Sequence, residues 1–327
     1  MRSEVIYPNI SANGAKAWIK IGAFSIQPIE FAKFATALAL ARFFNEGKTD
    51  NQRRHIFLLA FAFILVPAAI AILQKDTGSA LVFFAFIIMF YREGLNSWLM
   101  LMGVLIVLTF VLTLMWNELY TIAFLLVVLC ISCFFVRGSK KKLFRNVGIF
   151  AGFVVLVFAV NVAYTNVLQP HQRQRIDTIF GKSIDPKGAD FNLNQSKIAI
   201  GSGGFSGKGY LNGTQTKLNF VPEQSTDFIF CGIGEEWGFI GSIAIFALFL
   251  TLIIRIIQLA ERHKSTFVRV YGYGVASVLF FHLVINIGMT IGLIPVIGIP
   301  LPFISYGGSS LWGFTLLLFI FIRINAE

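Results

Sequence analysis

Long apolar runs alternate with short polar or basic breaks along nearly the whole chain. Nine runs approach the roughly 20 residues that cross a bilayer as a helix, at 25–44, 55–73, 77–92, 97–115, 119–136, 145–165, 228–257, 267–293 and 308–325. Each predicts a membrane-spanning helix, so the expected fold is all-α, a polytopic helical bundle forming one integral-membrane domain over residues 1–327. One stretch breaks the rhythm. Residues 166–227 are polar and far longer than an ordinary connection, which marks a functional or disordered loop. Within it, "NQSKIAIGSGGFSGKGY" (194–210) begins as an amphipathic helix and continues into clustered glycines. Those glycines permit positive φ and close approach to a ligand or membrane. The following "LNGTQTKLNFVPE" alternates weakly and reads as extended.

Strict alternation of nine spans puts "NEGKTDNQRRH", "REG", "RGSKKKLFRN", "ERHKST" and Arg323 on one side. That side is the cytoplasm by the positive-inside rule. The opposite side then carries the N-terminal segment, "LQKDTGS", "WNE", the long loop and "PVIGIPLPFISYGGSS". An external start without an apolar leader predicts that spans are missing ahead of Met1.

Composition sharpens this picture. The 327 residues are 56% hydrophobic and 13% charged, with 36 phenylalanines. A soluble fold of this size would lack the polar surface to cover itself. The net charge of +11 reads as cytoplasmic loops facing anionic lipid, and no nucleic-acid partner is indicated. Cys130, Cys133 and Cys231 all fall in apolar runs and read as small buried side chains. No phosphate-binding glycine loop and no His or Cys cluster with zinc spacing is present.

Candidate chemistry lies where charge meets the apolar runs, because an ionisable residue in a span is costly. In "QPIEFAKF", Pro28 suits the first turn of a helix. Glu30 and Lys33 share one face and can pair, either as a structural ion pair or as the wall of a cavity open to the outside. Asp76 in "QKDTGSA" can cap the next helix. Ser225, Thr226 and Asp227 all suit an N-cap, and the helix dipole would hold Asp227 ionised. Glu235 and Glu236 follow about two turns further on. His282 and Asn286 share a face of an apolar span and read as an interhelical hydrogen-bonding pair. The Pro- and Gly-rich 292–310 would shape a cleft, since irregular backbone at membrane depth must be buried in protein or line a cavity.

"QPIEFAK", "QKDTGSALV", "QSKIAIGSGGFSGKGYLNGTQTKLNFVPEQSTDFIFCGIGEEWGFIG" and "NIGMTIGLIPVIGIPLPFISYGGSS" closely resemble the SEDS (shape, elongation, division and sporulation) peptidoglycan polymerases. The loop wording is similar to the RodA branch rather than the division branch, FtsW. The resemblance implies a multi-pass protein of the bacterial inner membrane. Its implied activity is a glycosyltransferase that polymerises lipid II into glycan strands on the outer face during elongation and shape maintenance. It also implies a class B penicillin-binding transpeptidase and other elongation-complex proteins as partners.

By the same resemblance Asp227 is the catalytic residue, and Glu30, Lys33, Gln195, Lys197 and Trp18 match family positions. Ala17 stands where an Arg is common. Family members usually carry three spans ahead of the first one here, so those are expected to be absent from this chain. The spans 97–115 and 119–136 read as an added pair, which preserves the sidedness of the loop.

The expected reaction is an inverting glycosyl transfer in which Asp227 takes a proton from the acceptor sugar hydroxyl. Arg173, Arg175, Lys197 and Lys208 are candidates to meet the leaving pyrophosphate, with Asp76 and Lys33 at the same edge. A divalent cation, Mg or Mn, could share that role, although no motif specifies one. The rival readings are a lipid II transporter using the same cavity without a base, and an inactive scaffold.

Overall fold

In a computed structural model of the chain, residues 10–12, 15–21, 24–46, 53–116, 118–135, 140–167, 177, 189–218, 220–221, 223–294 and 296–326 are described. The chain forms two compact units, residues up to Leu95 together with those from Phe191, and residues Asn96–Asp190.

The first unit opens with a small antiparallel sheet that the apolar pattern did not predict: β1 (Ile10–Ala12), β2 (Ala15–Ile21) and β3 (Phe24–Ile26). Trp18 pairs with Ile10, and Ile19 with Ile26. Helix α1 (Pro28–Glu46) starts at the proline, as the missing N–H allows. It is followed by α2 (Arg53–Leu73), α3 (Thr77–Phe83) and α4 (Phe86–Arg92).

The second unit comprises α5 (Ser97–Met115), α6 (Glu118–Phe135) and α7 (Lys140–Val162), ending in a π-helical turn at Ala163–Val167. Asn146 Nδ2 donates to Ser132 Oγ at 2.8 Å and Asn161 Nδ2 to Glu118 Oε2 at 2.5 Å, so α6 and α7 are bonded near both ends.

The first unit resumes with α8 (Ala189–Gly203), the short α9 (Thr214–Lys217), α10 (Ile229–Arg262), α11 (Thr266–Thr290) and α12 (Gly308–Asn325). Helix α11 is axial, packing against α1, α4, α10 and α12. Small residues allow that closeness: a Cβ at Gly272 would lie 2.6 Å from the Phe321 ring.

Among the described residues, six helices are long and apolar enough to cross a membrane: Ile56–Leu73, Ser97–Met115, Lys140–Asn166, Ile229–Arg262, Thr266–Thr290 and Gly308–Asn325. The other three predicted spans fall short for different reasons. Helix α1 carries Glu30, Lys33, Arg42 and Glu46. The apolar stretches Thr77–Arg92 and Glu118–Phe134 are shorter than the rest. Cys231 is buried as expected, but Cys130 is exposed and Cys133 half-buried.

The first unit has two distinct ends. At one, Arg92 Nε meets Glu261 Oε1 at 2.5 Å and Arg269 Nη2 meets Glu93 Oε2 at 3.0 Å, tying α4 to α10 and α11 at the basic connections. At the other, Gln27 N donates to Ser309 Oγ at 3.1 Å and Gln27 Nε2 to Asp76 Oδ2 at 2.9 Å. The starts of α1, α3 and α12 therefore share one end, as strict alternation requires.

Helix α10 is interrupted. Gly238 takes φ 63° and ψ −157°, which breaks the ladder within the span. The clustered glycines fill the break. Lys208 N donates to Glu235 O at 3.0 Å and Gly209 N to Glu236 O at 2.9 Å; Phe239 N donates to Gly204 O at 3.0 Å and Ile240 N to Phe205 O at 3.2 Å. The freed carbonyls and amides on both sides of Gly238 thus find partners in the turn after α8. These glycines were expected to approach a ligand or membrane; they approach another backbone instead. A Cβ at Gly207 (φ +79°) would lie 2.2 Å from Glu236 O. The stretch after them, expected to be extended, contains the helical turn α9 (Thr214–Lys217).

Gly207→Ala is expected to destabilise the protein by more than about 1 kcal/mol, since it adds both a left-handed strain and a backbone clash. Gly201→Ala, at a helical position with nothing within 4 Å of its Cβ, is the control. Thermal unfolding in detergent should lower the midpoint for the first variant and leave the second near the parent.

Candidate active site

The turn over Glu223–Phe228 delivers the chain into α10. Phe228 N and Thr226 N both donate to Glu223 O, at 3.0 and 3.3 Å, and Thr226 Oγ1 donates to Glu223 Oε2 at 3.0 Å. Three successive carbonyls of this turn are then held from outside it. Tyr306 N donates to Ser225 O at 2.8 Å, Ser305 Oγ to Thr226 O at 2.6 Å, and Asn286 Nδ2 to Asp227 O at 2.8 Å. Asn286 Nδ2 also reaches Ile299 O at 2.7 Å, and His282 Nδ1 lies 2.9 Å from Pro300 O. The predicted pair on one face of α11 therefore anchors the Pro- and Gly-rich segment, and through it the turn.

The side chains expected to cap α10 do not. The N-cap is Phe228, with no side-chain cap bond from Ser225, Thr226 or Asp227. The Asp227 carboxylate instead lies against Gly298, whose Cβ would sit 3.1 Å from Asp227 Oδ2; the glycine's φ of +76° and missing side chain make that approach possible. Burial first, and then the nearby carboxylates of Glu223 and Asp76, push the Asp227 carboxyl up to about 6. A helix dipole was expected to hold it ionised; desolvation and like charge outweigh that at the turn.

Asp76 performs the capping predicted for it. Its Oδ1 accepts from Ser79 N at 2.9 Å, and its Oδ2 accepts from Ser79 Oγ at 2.8 Å and from Gln27 Nε2. Both oxygens are occupied in holding α3 to the start of α1, which is a structural employment rather than the substrate contact expected.

Glu30 and Lys33 form a 2.7 Å ion pair, 3% and 2% exposed, so they do not line a cavity open to the outside. The ammonium is 3.2 Å from His282 Nε2 and 5.1 Å from the centre of the Phe314 ring. Burying two charges in this interior requires mutual neutralisation and hydrogen bonding, which explains why the pair turns inward. The chain Glu30–Lys33–His282–Pro300 thus links α1 through α11 to the segment beside Asp227.

Glu235 is the polar hub that spacing alone did not explain. It is fully buried, one residue N-terminal to Glu236 and three before the break. Its Oε1 accepts from Lys208 Nζ at 2.8 Å, Thr214 Oγ1 at 3.1 Å and Gln215 N at 2.9 Å; its Oε2 accepts from Thr216 N and Thr216 Oγ1, both at 2.9 Å. One carboxylate from α10 therefore satisfies the orphan amides at the start of α9 and pins the preceding turn. Lys208, expected to meet a pyrophosphate, is spent on this carboxylate and on Thr214 Oγ1 at 2.7 Å.

Of the other predicted contacts, Lys197 is exposed on α8 and Gln195 half-buried there, while Trp18 is half-buried on β2. Ser196 Oγ, between the first two, donates to Thr290 O at 2.9 Å and docks α8 on α11. A Cβ at Gly292 would lie 2.6 Å from Lys197 Nζ. The irregular segment after α11 therefore borders Lys197 at Gly292 and Asp227 at Gly298. Arg173 and Arg175 lie outside the described residues. Among the described residues, no group of three or more His, Cys, Asp or Glu side chains could hold a metal ion.

Removing the hub should free the loop before it affects the helices. Glu235→Ala is expected to deprotect the amides of Gln215 and Thr216 in hydrogen exchange and to open 204–218 to protease, while α11 and α12 keep their protection. Unchanged exchange at those two amides would refute the clamp.

Comparison with known proteins identifies the family. The chain matches the FtsW/RodA/SpoVE family, described as "Cell cycle protein", over residues 4–123 and 90–327. The matches overlap across α5 and the start of α6, where the sequence reading placed an added helix pair. It is 34% identical over 338 residues to the peptidoglycan glycosyltransferase RodA of Treponema pallidum (strain Nichols), covering 96% of this chain and 78% of that protein. It is 35% identical over 301 residues to the peptidoglycan glycosyltransferase MrdB of Escherichia coli (strain K12), covering 92% and 68%. Among solved structures, a chain of a peptidoglycan synthase complex that coordinates polymerization and crosslinking superposes with a TM-score of 0.66 at 26% identity, over 98% of this chain and 76% of that one. The rod shape determining protein RodA of Thermus thermophilus shares the fold, with a TM-score of 0.52 at 24% identity over 98% and 73%. With a family match along nearly its whole length and relatives above 30% identity across most of theirs, this chain is a multi-pass membrane protein of the FtsW/RodA/SpoVE family.

Proposed function

We propose that this protein is a peptidoglycan glycosyltransferase of the RodA type, polymerising lipid II into glycan strands at the outer face of the bacterial inner membrane during elongation. The observation that carries the reading is the Asp227 carboxylate. It sits at the end of the unit away from the basic connections, its backbone carbonyl is strapped by Asn286, and its carboxyl is raised to about 6. No donor occupies that carboxylate among the described residues. A general base works best with a pKa near the working pH, and the site supplies one.

Asp227 takes the proton from the 4-hydroxyl of the acceptor's N-acetylglucosamine. The oxygen forms a bond to the anomeric carbon of the donor's N-acetylmuramic acid from the face opposite the lipid pyrophosphate. The bond to the pyrophosphate breaks, and its electron pair leaves with the phosphate. The exposed ammonium of Lys197, bordering the same irregular segment, meets that developing charge. Lys33 and Lys208 take no part in this contact, because each already neutralises a carboxylate. A class B penicillin-binding transpeptidase receives the strand, in keeping with the peptidoglycan synthase complex among the structural relatives.

The test is polymerisation of lipid II by purified protein in detergent, where no second leaflet exists and transport is not measured. Asp227→Asn is expected to lower the rate by at least about 10²-fold with thermal unfolding unchanged; full activity would remove Asp227 from the role. The carboxylate is the active form, so the parent's rate should be lost as pH falls through about 6 and level off above it.

Asn286→Leu removes the strap on Asp227 O and Ile299 O. It is expected to lower kcat about tenfold or more, with KM nearly unchanged, and to move the pH midpoint. A variant with unaltered kcat and midpoint per folded molecule would show that the strap does not position the base.

A further inference from the structure

The three-helix unit α5–α7 takes no part in the site above, yet its basic end is built. Lys140, Lys141, Lys142 and Arg145 crowd the first turns of α7, all exposed, and none of the ion pairs among the described residues involves them. Phe144 among them is 82% exposed. Cations beside exposed apolar groups are the pattern of a segment lying at a membrane interface. Arg145 also stacks over the Trp98 ring at 5.9 Å, at the start of α5.

Directly beyond that stack lies a cavity of about 170 Å³ between the three helices, bounded by Trp98 at its start and Thr109 at its far end. The volume resembles the roughly 150 Å³ apolar cavity that accommodates a benzene, which suits part of a flexible hydrocarbon chain rather than a bulky group. Its walls are apolar apart from Thr109 and the Asn146–Ser132 bond, where Asn146 Nδ2 donates to Ser132 Oγ at 2.8 Å. Asn146 and Arg145 follow the three lysines within the first two turns of α7.

Length identifies the leaflet. Trp98 to Thr109 is eleven residues of helix, or about 16 Å at 1.5 Å per residue, roughly half of a ~30 Å hydrocarbon core. The slot therefore runs from one interface to mid-bilayer, with cations at its mouth. Basic pockets between helices at the same kind of interface select anionic headgroups.

We propose that the α5–α7 unit holds one anionic phospholipid from the leaflet on the side of the basic connections, its headgroup on Lys140, Lys141, Lys142 and Arg145 and an acyl chain in the slot from Trp98 to Thr109. The headgroup phosphate is met by the cations, and the chain replaces bilayer packing that the three helices do not supply to one another. The site is independent of Asp227 and of glycan chemistry.

The experiment is native mass spectrometry on the full chain, stripped of lipid in mild detergent and exposed to equal phosphatidylglycerol and phosphatidylcholine. Retention of one phosphatidylglycerol is expected, favoured by about fivefold or more. Substituting Lys140→Gln, Lys141→Gln, Lys142→Gln and Arg145→Gln together should remove the preference; these positions are exposed, so folding is not at stake. Thr109→Phe, which fills the slot and leaves every cation in place, should lower retention of both lipids, and its melting curve shows whether the unit stays folded. Millimolar inorganic phosphate should not compete. Equal retention of the two lipids, retention indifferent to the cations, or displacement by free phosphate would each overturn the assignment.

Discussion

A broken helix inside a membrane protein must find partners for the backbone groups that the break releases. Water is not on hand to supply them. Here the break is at Gly238, and the partners are the amides and carbonyls of the 204–209 turn. This constraint determines much else. Only glycines let the two backbones approach so closely, and only a turn arriving from α8 presents two donors and two acceptors at the right positions. The loop is therefore folded onto α10 rather than hanging from it, and α8 is brought against α11 with Lys197 beside the irregular segment.

The buried charges extend the same logic. Glu235 anchors the loop from below by accepting hydrogen bonds from Lys208, Thr214, Gln215 and Thr216, and Lys208 is consumed in neutralising it. Glu30, Lys33 and His282 form a second chain that holds the Pro300 carbonyl. In both cases a charge with a satisfied partner becomes scaffold. The contrast with Asp227 is instructive. Its backbone is fixed by Asn286, but its carboxylate faces Gly298 and two other acids, so the proton is held more tightly than in water. Rigid backbone with an unpaid carboxylate is what a general base requires.

The α5–α7 unit follows different rules. Its polar contacts are few and lie near the helix ends, and its exposed surface is apolar along α5 and α6. Among its described residues, the charge is densest in the basic cluster that opens α7. Such a unit is shaped for lipid, whereas the first unit is shaped to hold charge.

Much of this was legible in the sequence. The apolar runs gave the helices, the basic breaks gave their alternation, and the start of α1 at Pro28 and the capping by Asp76 follow from local chemistry that neighbours supply. The motifs around Asp227 pointed to the family before any coordinates did. The three-stranded sheet at 10–26, the break at Gly238 and the inward turn of Glu30 and Lys33 were not legible. Each depends on what lies opposite in space. A glycine in an apolar run carries no mark of the turn that will pack on it, and a lysine's spacing does not say which carboxylate it will meet. Sequence by itself determined where the long apolar helices lie and which acid stands at the threshold of α10. Tertiary structure alone decided which charges neutralise one another and which one is left raised and unoccupied, because burial and proximity, unlike periodicity, are properties of the folded chain.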